Sequence, residues 1–600
     1  MRQTSETGLS PNRLLSIMGH TPADNRESFQ TTVPWKSKFV SEQIMALFRY
    51  RKFLKAIADR PLCFGPFSFA ADWQNMMLEI YATGPVKAQA RVAASKGRNP
   101  DIFGCLNEWI CHEYARLLQE FCGFFMKDGS FDREKAGRIS STPQGAEFIT
   151  GYLKRFARLE KSYNSLGLTR LKAMKELVKC LIIVITEKPL EGEDLPFMKK
   201  KGDGSDALRF SEYLEESRSR LENLYRENAF DIETFSERAV SGKIGYSRFE
   251  FVEGSELHKV RLRHYILPSG IKPNGRVLYC ATPLINKPEI FDLAEGKSVI
   301  EGMLKEGYEI YLIDHGDPGS AEACLGLDFY GKTVHDRFLD IIKTRHPAAE
   351  IDVMAYCMAG TLIMPYMARR AEERMARGED MDIKRVALMA APVKFDDGKS
   401  GHGPMRAVIR RYYDPWLMQE LYGPVNIPPQ VIEFGMREIQ PGVEYTVASG
   451  FFERDKDFRD LRDSAPFLYW LTHGTRFPSR AHREWIQRIF IGNEICGGTY
   501  CLPSSNPALD GKPVNMNVLR EAGVAIFDYR GRRDPIAPAG SCVASELWGQ
   551  VLDGNIEITR GWLNRTIEKN IGHIFVVSKQ LLSEYLKIVS LFFRGETVTT

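Results

Sequence analysis

The sequence predicts an α/β protein built on a mostly parallel central sheet, with a helical region before the sheet and an inserted cap between late strands. Short apolar runs at Val277–Ala281, Tyr308–Ile313, Ile351–Ala355, Val386–Met389 and Val524–Phe527, several of them separated by helical patterns, read as strands buried on both faces. The run at Ile351 breaks at small residues around Cys357 and resumes as the apolar, helix-like Met358-Ala359-Gly360-Thr361-Leu362. Such a strand-turn-helix lifts a nucleophile above a parallel sheet. The texture also changes twice along the chain. It is mainly helical over 1–241, alternates strand and helix over 242–600, and loses that rhythm between about 399 and 500, the expected insertion.

In the helical region Ile110, Tyr114, Leu117, Leu118 and Phe121 recur at three- and four-residue spacing, and 152–185 is similar though interrupted. The stretch from Glu187 to Asp206 is rich in charge, Pro and Gly and reads as a linker or exposed loop. Leu214, Leu221, Leu224 and Tyr225 then stripe another helix, whose simplest use is packing on its neighbours.

Six hundred residues at 44% apolar and 26% charged have the balance of a soluble globular chain with room for a large core. A net charge of +4, from 81 cations and 77 anions, is too small and dispersed to argue for nucleic acid as the partner. The first residues resemble no cleavable secretory signal, and the longest apolar stretch, Leu181–Ile185, is far short of a membrane span. The expectation is therefore a cytoplasmic protein with no transmembrane segment. Eleven scattered cysteines fit reduced thiols. Cys496 and Cys501 frame a Gly-Gly-Thr-Tyr turn without a matching His/Cys pair, so no metal site is expected.

If Cys357 is a nucleophile, an acid and a histidine should follow it. After the last apolar strand run, Asp528-Tyr529-Arg530-Gly531-Arg532-Arg533-Asp534-Pro535 offers Asp534, with Asp528 as the weaker rival, in a Gly/Pro-punctuated loop. Asn570-Ile571-Gly572-His573 then places a histidine on a turn before the terminal helix. The order nucleophile, acid, histidine at 357, 534 and 573 is that of the α/β-hydrolase fold. A free thiol is only slightly ionised near neutral pH, so the imidazole must take its proton, while the carboxylate fixes the imidazole's tautomer. Negative charge on an attacked carbonyl would meet the backbone N–H of Met358 and a second N–H from the loop after the first core strand, near Leu284, Ile285 and Asn286. Folds of this type place a lid where the insertion lies. Its aromatics (Tyr412, Tyr413, Trp416, Tyr422, Phe434, Phe451, Phe452, Phe458, Phe467, Tyr469, Trp470 and Trp485) suit either a lid over an apolar substrate or a second small core.

From about Gly242 to Val577 the chain resembles the polyhydroxyalkanoate synthases. Thr282-Pro283-Leu284-Ile285-Asn286-Lys287-Pro288 is similar to that family's segment after the first core strand, and Tyr311-Leu312-Ile313-Asp314-His315-Gly316 to its Y-L-I-D-W-G, with His315 in place of tryptophan. Thr475-Arg476-Phe477-Pro478, Asn493, Gly498, Arg533-Asp534-Pro535-Ile536-Ala537-Pro538 and Gly572-His573-Ile574 extend the likeness. Two departures stand out. The family's elbow is G-x-C-x-G-G, whereas Ala355 and Ala359 replace two of its glycines and only Gly360 remains; and Trp470-Leu471-Thr472-His473 lacks the Asn and Asp that often follow the tryptophan.

The resemblance implies an acyltransferase that polymerises (R)-3-hydroxyacyl-CoA with release of CoA, the thioester being substrate and no cofactor being needed. Cys357 would attack the thioester and His573 would act as base, with Asp534 supporting it or helping to activate the next 3-hydroxyl. The implied partners are the growing polyester chain or a granule surface in the cytoplasm, and a homodimer is compatible with this reading. The alternatives are a thioesterase, esterase or non-polymerising acyltransferase on the same triad, or a binding protein that kept the fold and lost turnover.

Overall fold

In a computed structural model, the described residues are 227–549 (apart from 414, 424–425, 434–446, 449 and 453–458), 564–595, and isolated positions between 126 and 224. The calls on Ile110 to Phe121, on Leu181–Ile185, on the Glu187–Asp206 stretch, on Leu214, Leu221 and Tyr225, and on Phe434 and Phe458 lie outside them.

Eight strands form one sheet: β1 (Phe249–Phe251), β2 (Arg261–Tyr265), β3 (Arg276–Ala281), β4 (Glu309–Asp314), β5 (Glu350–Tyr356), β6 (Ile383–Met389), β7 (Ala525–Gly531) and β8 (Asn564–Lys569). From edge to edge their order is β8-β7-β6-β5-β3-β4-β2-β1. β3 to β8 pair in parallel, and β2 runs antiparallel to both β4 and β1. A mostly parallel sheet of this order, crossing over at β3 and β4, is an α/β-hydrolase sheet. All five expected apolar strands are in it and lie next to one another, from β7 to β4. They are lined by residues with no solvent contact, such as Leu278, Leu312, Val353, Ala387 and Phe527.

Helices cover the sheet because their apolar stripes need it. α1 (Val299–Lys305) is capped by Ser298, whose hydroxyl accepts from the N–H of Glu301 at 2.8 Å. α2 (Val334–Arg345) follows β4, and α3 (Met358–Ala376) follows β5. The terminal α4 (Lys579–Arg594) is capped by Ser578 and stopped by left-handed Gly595, and its Leu582, Tyr585, Val589, Phe592 and Phe593 enter the core shared with β3 to β7.

Between β6 and β7 lies a long connection carrying helices at Gly403–Tyr412, Pro415–Tyr422, Ala465–Thr472 and Ser479–Glu484. Its aromatics are mostly packing groups. Tyr422, Tyr469 and Trp470 are buried, and the Trp470 indole donates to the Lys287 carbonyl at 2.7 Å, while Trp416 is exposed with Arg483 stacked on it.

By contacts, residues 236–440 and 464–600 form one unit; a second takes its described residues from before Ser236 and from 441–463. In that second unit helical positions occur between 151 and 175, Leu224 is buried, and the Arg158 guanidinium pairs with Asp231.

Burial of charge makes this fold acid-sensitive. His315, His335, His402 and His482 are enclosed, and burial holds their imidazoles down at about 4, 3, 4 and 3. An unfolded imidazole titrates near about 6.5. Below that value the unfolded chain takes up protons the fold refuses, so stability declines as pH falls toward about 4. Asp352 and Asp528 oppose this between about pH 6 and 4, because burial raises both to about 6 and the fold binds their protons first. His573 does not enter this window: burial disfavours its charge, but Asp534 and Cys357 raise it well above the usual imidazole value, so its contribution is already in place below about 6.5 and is lost only as pH rises. Four imidazoles outweigh two carboxylates, and the thermal midpoint followed by circular dichroism is expected to be lower at pH 5 than at pH 7.

Candidate active site

Cys357 stands at the junction of β5 and α3 with φ +52° and ψ −126°. That conformation costs a non-glycine residue roughly 1–3 kcal/mol and persists only where neighbours over-determine it. Here they do. The Cys357 N–H donates to the Met389 carbonyl at 2.9 Å, prolonging the β5–β6 ladder by one residue, and its carbonyl accepts from Gly360 at 2.9 Å and Thr361 at 3.3 Å, opening the helix. The Thr361 hydroxyl donates to the Pro392 carbonyl at 2.6 Å, fixing the helix start to the segment after β6. Strand and helix both turn away from Cys357, whose side chain is partly exposed, whereas Cys280 and Cys542 are buried and burial pushes their thiols up.

Neither alanine of the elbow needs the left-handed backbone that favours glycine. Ala355 pairs with Leu388 on one side and Ala281 on the other inside the sheet, fully buried, and Ala359 lies in the first turn of α3. Gly360 is different, since a Cβ there would stand 2.3 Å from the Ala391 Cβ and 3.2 Å from Leu388. The one glycine retained is the one whose Cβ the packing forbids. Gly360→Ala is expected to lower stability by on the order of 1–3 kcal/mol, read as a shift of the denaturant midpoint, because the nearest neighbour, the Ala391 Cβ, is fixed to the backbone and cannot swing aside.

Asp534 and His573 come together at the other side. Asp534 follows β7, and its Oδ1 accepts from the N–H groups of Ile536 at 2.9 Å and Ala537 at 2.8 Å, which leaves Oδ2 to meet His573 Nδ1 at 2.7 Å. The carboxylate is therefore aimed by its own loop. His573 follows β8 in a segment without regular structure and is buried; burial disfavours its charged ring, while Asp534 first and Cys357 second raise it well above the usual imidazole value. Imidazole and carboxylate are thus hydrogen-bonded, and the elbow lies beside them, since Tyr356, the residue before Cys357, stacks on the His573 ring.

Asp528 does not belong to it. The sequence places it in the loop, but the structure puts it on β7, with Oδ2 accepting from the Ser545 N–H at 2.7 Å.

Met358 occupies the first position of α3, where an N–H has no intrahelical acceptor. The Thr282–Asn286 loop leaves β3, the strand next to β5, and its Leu284 lines one small cavity together with Ala359 of the elbow. Asn286 has φ +79°, a left-handed turn that redirects the backbone after Ile285. His315, at the position where the resembled family has tryptophan, contributes to the same loop: it is buried, and its Nε2 lies 3.1 Å from the Thr282 carbonyl. From the sequence alone no role is legible for His315 or for Tyr356, although Tyr356 adjoins the nucleophile. Among the described residues no group of His, Cys, Asp and Glu could hold a metal ion, and no helix is long and apolar enough to cross a membrane.

No family model matches the chain. Solved structures similar to part of it include a thermostable carboxyl esterase from Bacillus coagulans (12% identity, TM-score 0.35, covering 59% of this chain and 99% of the esterase) and the thioesterase domain of the curacin biosynthetic pathway (10%, 0.31, 57% and 99%). Among relatives by sequence, the poly(3-hydroxyalkanoate) polymerase subunit PhaC of Haloferax mediterranei is 27% identical over 282 residues, 47% of this chain and 52% of the relative. Its counterpart in Haloarcula marismortui is 24% identical over 362 residues, 57% of this chain and 69% of the relative, and that in Allochromatium vinosum 27% over 283 residues, 46% and 71%. The chain spans about half the length of the first of these relatives. Over about half of its own length, the chain is a distant homologue of the PhaC polyhydroxyalkanoate synthases.

Proposed function

We propose that the chain is a polyhydroxyalkanoate-synthase-like acyltransferase, polymerising (R)-3-hydroxyacyl groups from CoA thioesters through Cys357, His573 and Asp534. The observation that carries this is a strained elbow cysteine whose chain neighbour Tyr356 stacks on an imidazole hydrogen-bonded to a buried carboxylate. His573 takes the Cys357 proton as sulfur attacks the thioester carbonyl. The oxyanion is held by the N–H of Met358 and by one from Ile285 or Asn286. Collapse of the adduct breaks the bond to CoA, whose sulfur takes the proton from His573, and leaves the acyl group on Cys357. The 3-hydroxyl of a second unit then attacks this thioester while His573 takes its proton. An ester forms and the thiol returns. Thioester exchange is nearly isoenergetic, so a chain can be parked on sulfur, and its transfer to a hydroxyl is the downhill step. The insertion between β6 and β7 would cap the site, and the growing polyester would be the partner that leaves it.

The test is incubation of the purified chain with (R)-3-hydroxybutyryl-CoA and a medium-chain homologue, measuring free CoA and sizing the product. Polymer with stoichiometric CoA supports the reading. CoA release with only monomeric acid overturns it in favour of a thioesterase on the same triad.

A further inference from the structure

We propose that Tyr356 is a positioning residue that fixes His573 relative to the sulfur of Cys357. The inference rests on the triad reading and extends it to a residue that touches the base but not the substrate.

His573 lies in a segment without regular structure between β8 and α4, so something outside that segment must set where its ring stands. Asp534 fixes one nitrogen, but Asp534 is itself on a loop. Tyr356 supplies the tie to the sheet. It is the last residue of β5, pairs with Met389 of β6, and is 3% exposed. Its hydroxyl donates to the backbone carbonyl of His573 at 3.0 Å, and its ring lies against the imidazole at 5.4 Å between centroids and 29° between planes. Phe291, in the segment between β3 and α1, meets the phenol edge-on at 6.4 Å and restricts the ring further.

The geometry has a consequence that ordinary packing would not. Because Tyr356 is covalently adjacent to Cys357, one residue's backbone delivers the nucleophile while its side chain holds the base by both main chain and ring. The sulfur-to-imidazole separation is thereby set over a single residue instead of through the long path by way of β8. Burial also keeps the phenol protonated, its value being raised well above that of an exposed tyrosine, so it stays a donor to the carbonyl throughout the working range.

The experiment compares the full chain with Y356F, which keeps the ring and removes the tie, and with Y356L, which removes both. The first readout needs no substrate: iodoacetamide alkylation of Cys357, followed by mass spectrometry of its peptide, at pH 6 and pH 10. Y356F is expected to slow alkylation at pH 6 by about 5-fold or more, with Y356L slower still. At pH 10, where thiols ionise without help, both should stay within about 2-fold of wild type. The second readout is CoA release from (R)-3-hydroxybutyryl-CoA, where Y356F should lower kcat by about 10-fold with KM within about 2-fold. Equal alkylation by wild type and Y356F at pH 6 overturns the inference, as does a slowing of equal size at both pH values, which would mark general loosening. If wild type makes no polymer while Y356F still slows alkylation at pH 6 alone, the positioning role stands and the polymerase reading falls.

Discussion

In the Cys357→Ala protein, CoA release from (R)-3-hydroxybutyryl-CoA is expected to fall by at least about 1000-fold while the fold remains intact. The sulfur does little for stability. Cys357 is partly exposed, and the elbow is held by main-chain bonds to Met389, Gly360 and Thr361 that any residue can make. Removing Sγ from a partly exposed position therefore leaves no deep cavity, and the thermal midpoint should stay within a few degrees of wild type. Activity is another matter, because with no sulfur there is nothing for the acyl group to be parked on. The N–H groups proposed to hold the oxyanion survive the substitution, so a slow, direct attack of water or hydroxyl is the expected residual route. Assays of CoA release and of covalent acyl-enzyme by mass spectrometry decide it. Undiminished CoA release by Cys357→Ala would remove the nucleophile assignment and leave the fold without this chemistry.

The central strands were legible because burial on both faces leaves an unmistakable apolar run, as in Val277–Ala281 and Ile351–Ala355. The strands that escaped are those whose surroundings are mixed. β2 reads Arg-Leu-Arg-His-Tyr, charged because it stands near an edge, with Arg263 paired to Asp314 and Glu289. β8 reads Asn-Arg-Thr-Ile-Glu-Lys, with Ile567 its one large apolar residue, because it closes the sheet and needs only half a face buried. The same gap misplaced Asp528: with β8 unseen and β7 thought to end at Phe527, its residues from Asp528 onward looked like loop.

At the candidate site, Cys357, Asp534 and His573 were picked out from order and turn residues, and the structure hydrogen-bonds two of them, Asp534 and His573. What sequence could not supply was the reason for Gly360, which depends on Ala391 across the chain reversal, or the contacts of Tyr356 and His315. Those contacts join residues far apart in the chain, and no local pattern records them.

Asp534→Asn is expected to lower kcat by roughly 100- to 10,000-fold, with KM much less affected. The carboxylate's Oδ1 is satisfied by two loop N–H groups, and an amide oxygen can take over that part without distortion, so the loop should keep its shape. The amide NH2 then faces His573 Nδ1, where Oδ2 had been accepting. An NH2 group donates, so the imidazole must present Nδ1 as an acceptor and carry its proton on Nε2, which removes the lone pair that would take the thiol proton. The charge effect runs the same way. Burial alone favours a neutral His573, and the raised value comes from Asp534 first and Cys357 second, so losing the carboxylate lets desolvation dominate. Both effects deprive Cys357 of its base. Alkylation of Cys357 near neutral pH should therefore slow together with turnover, and turnover should recover partly as pH rises and the thiol ionises on its own. Wild-type kcat in Asp534→Asn would mean that the hydrogen bond between Asp534 and His573 is structural, and that another group orients the base.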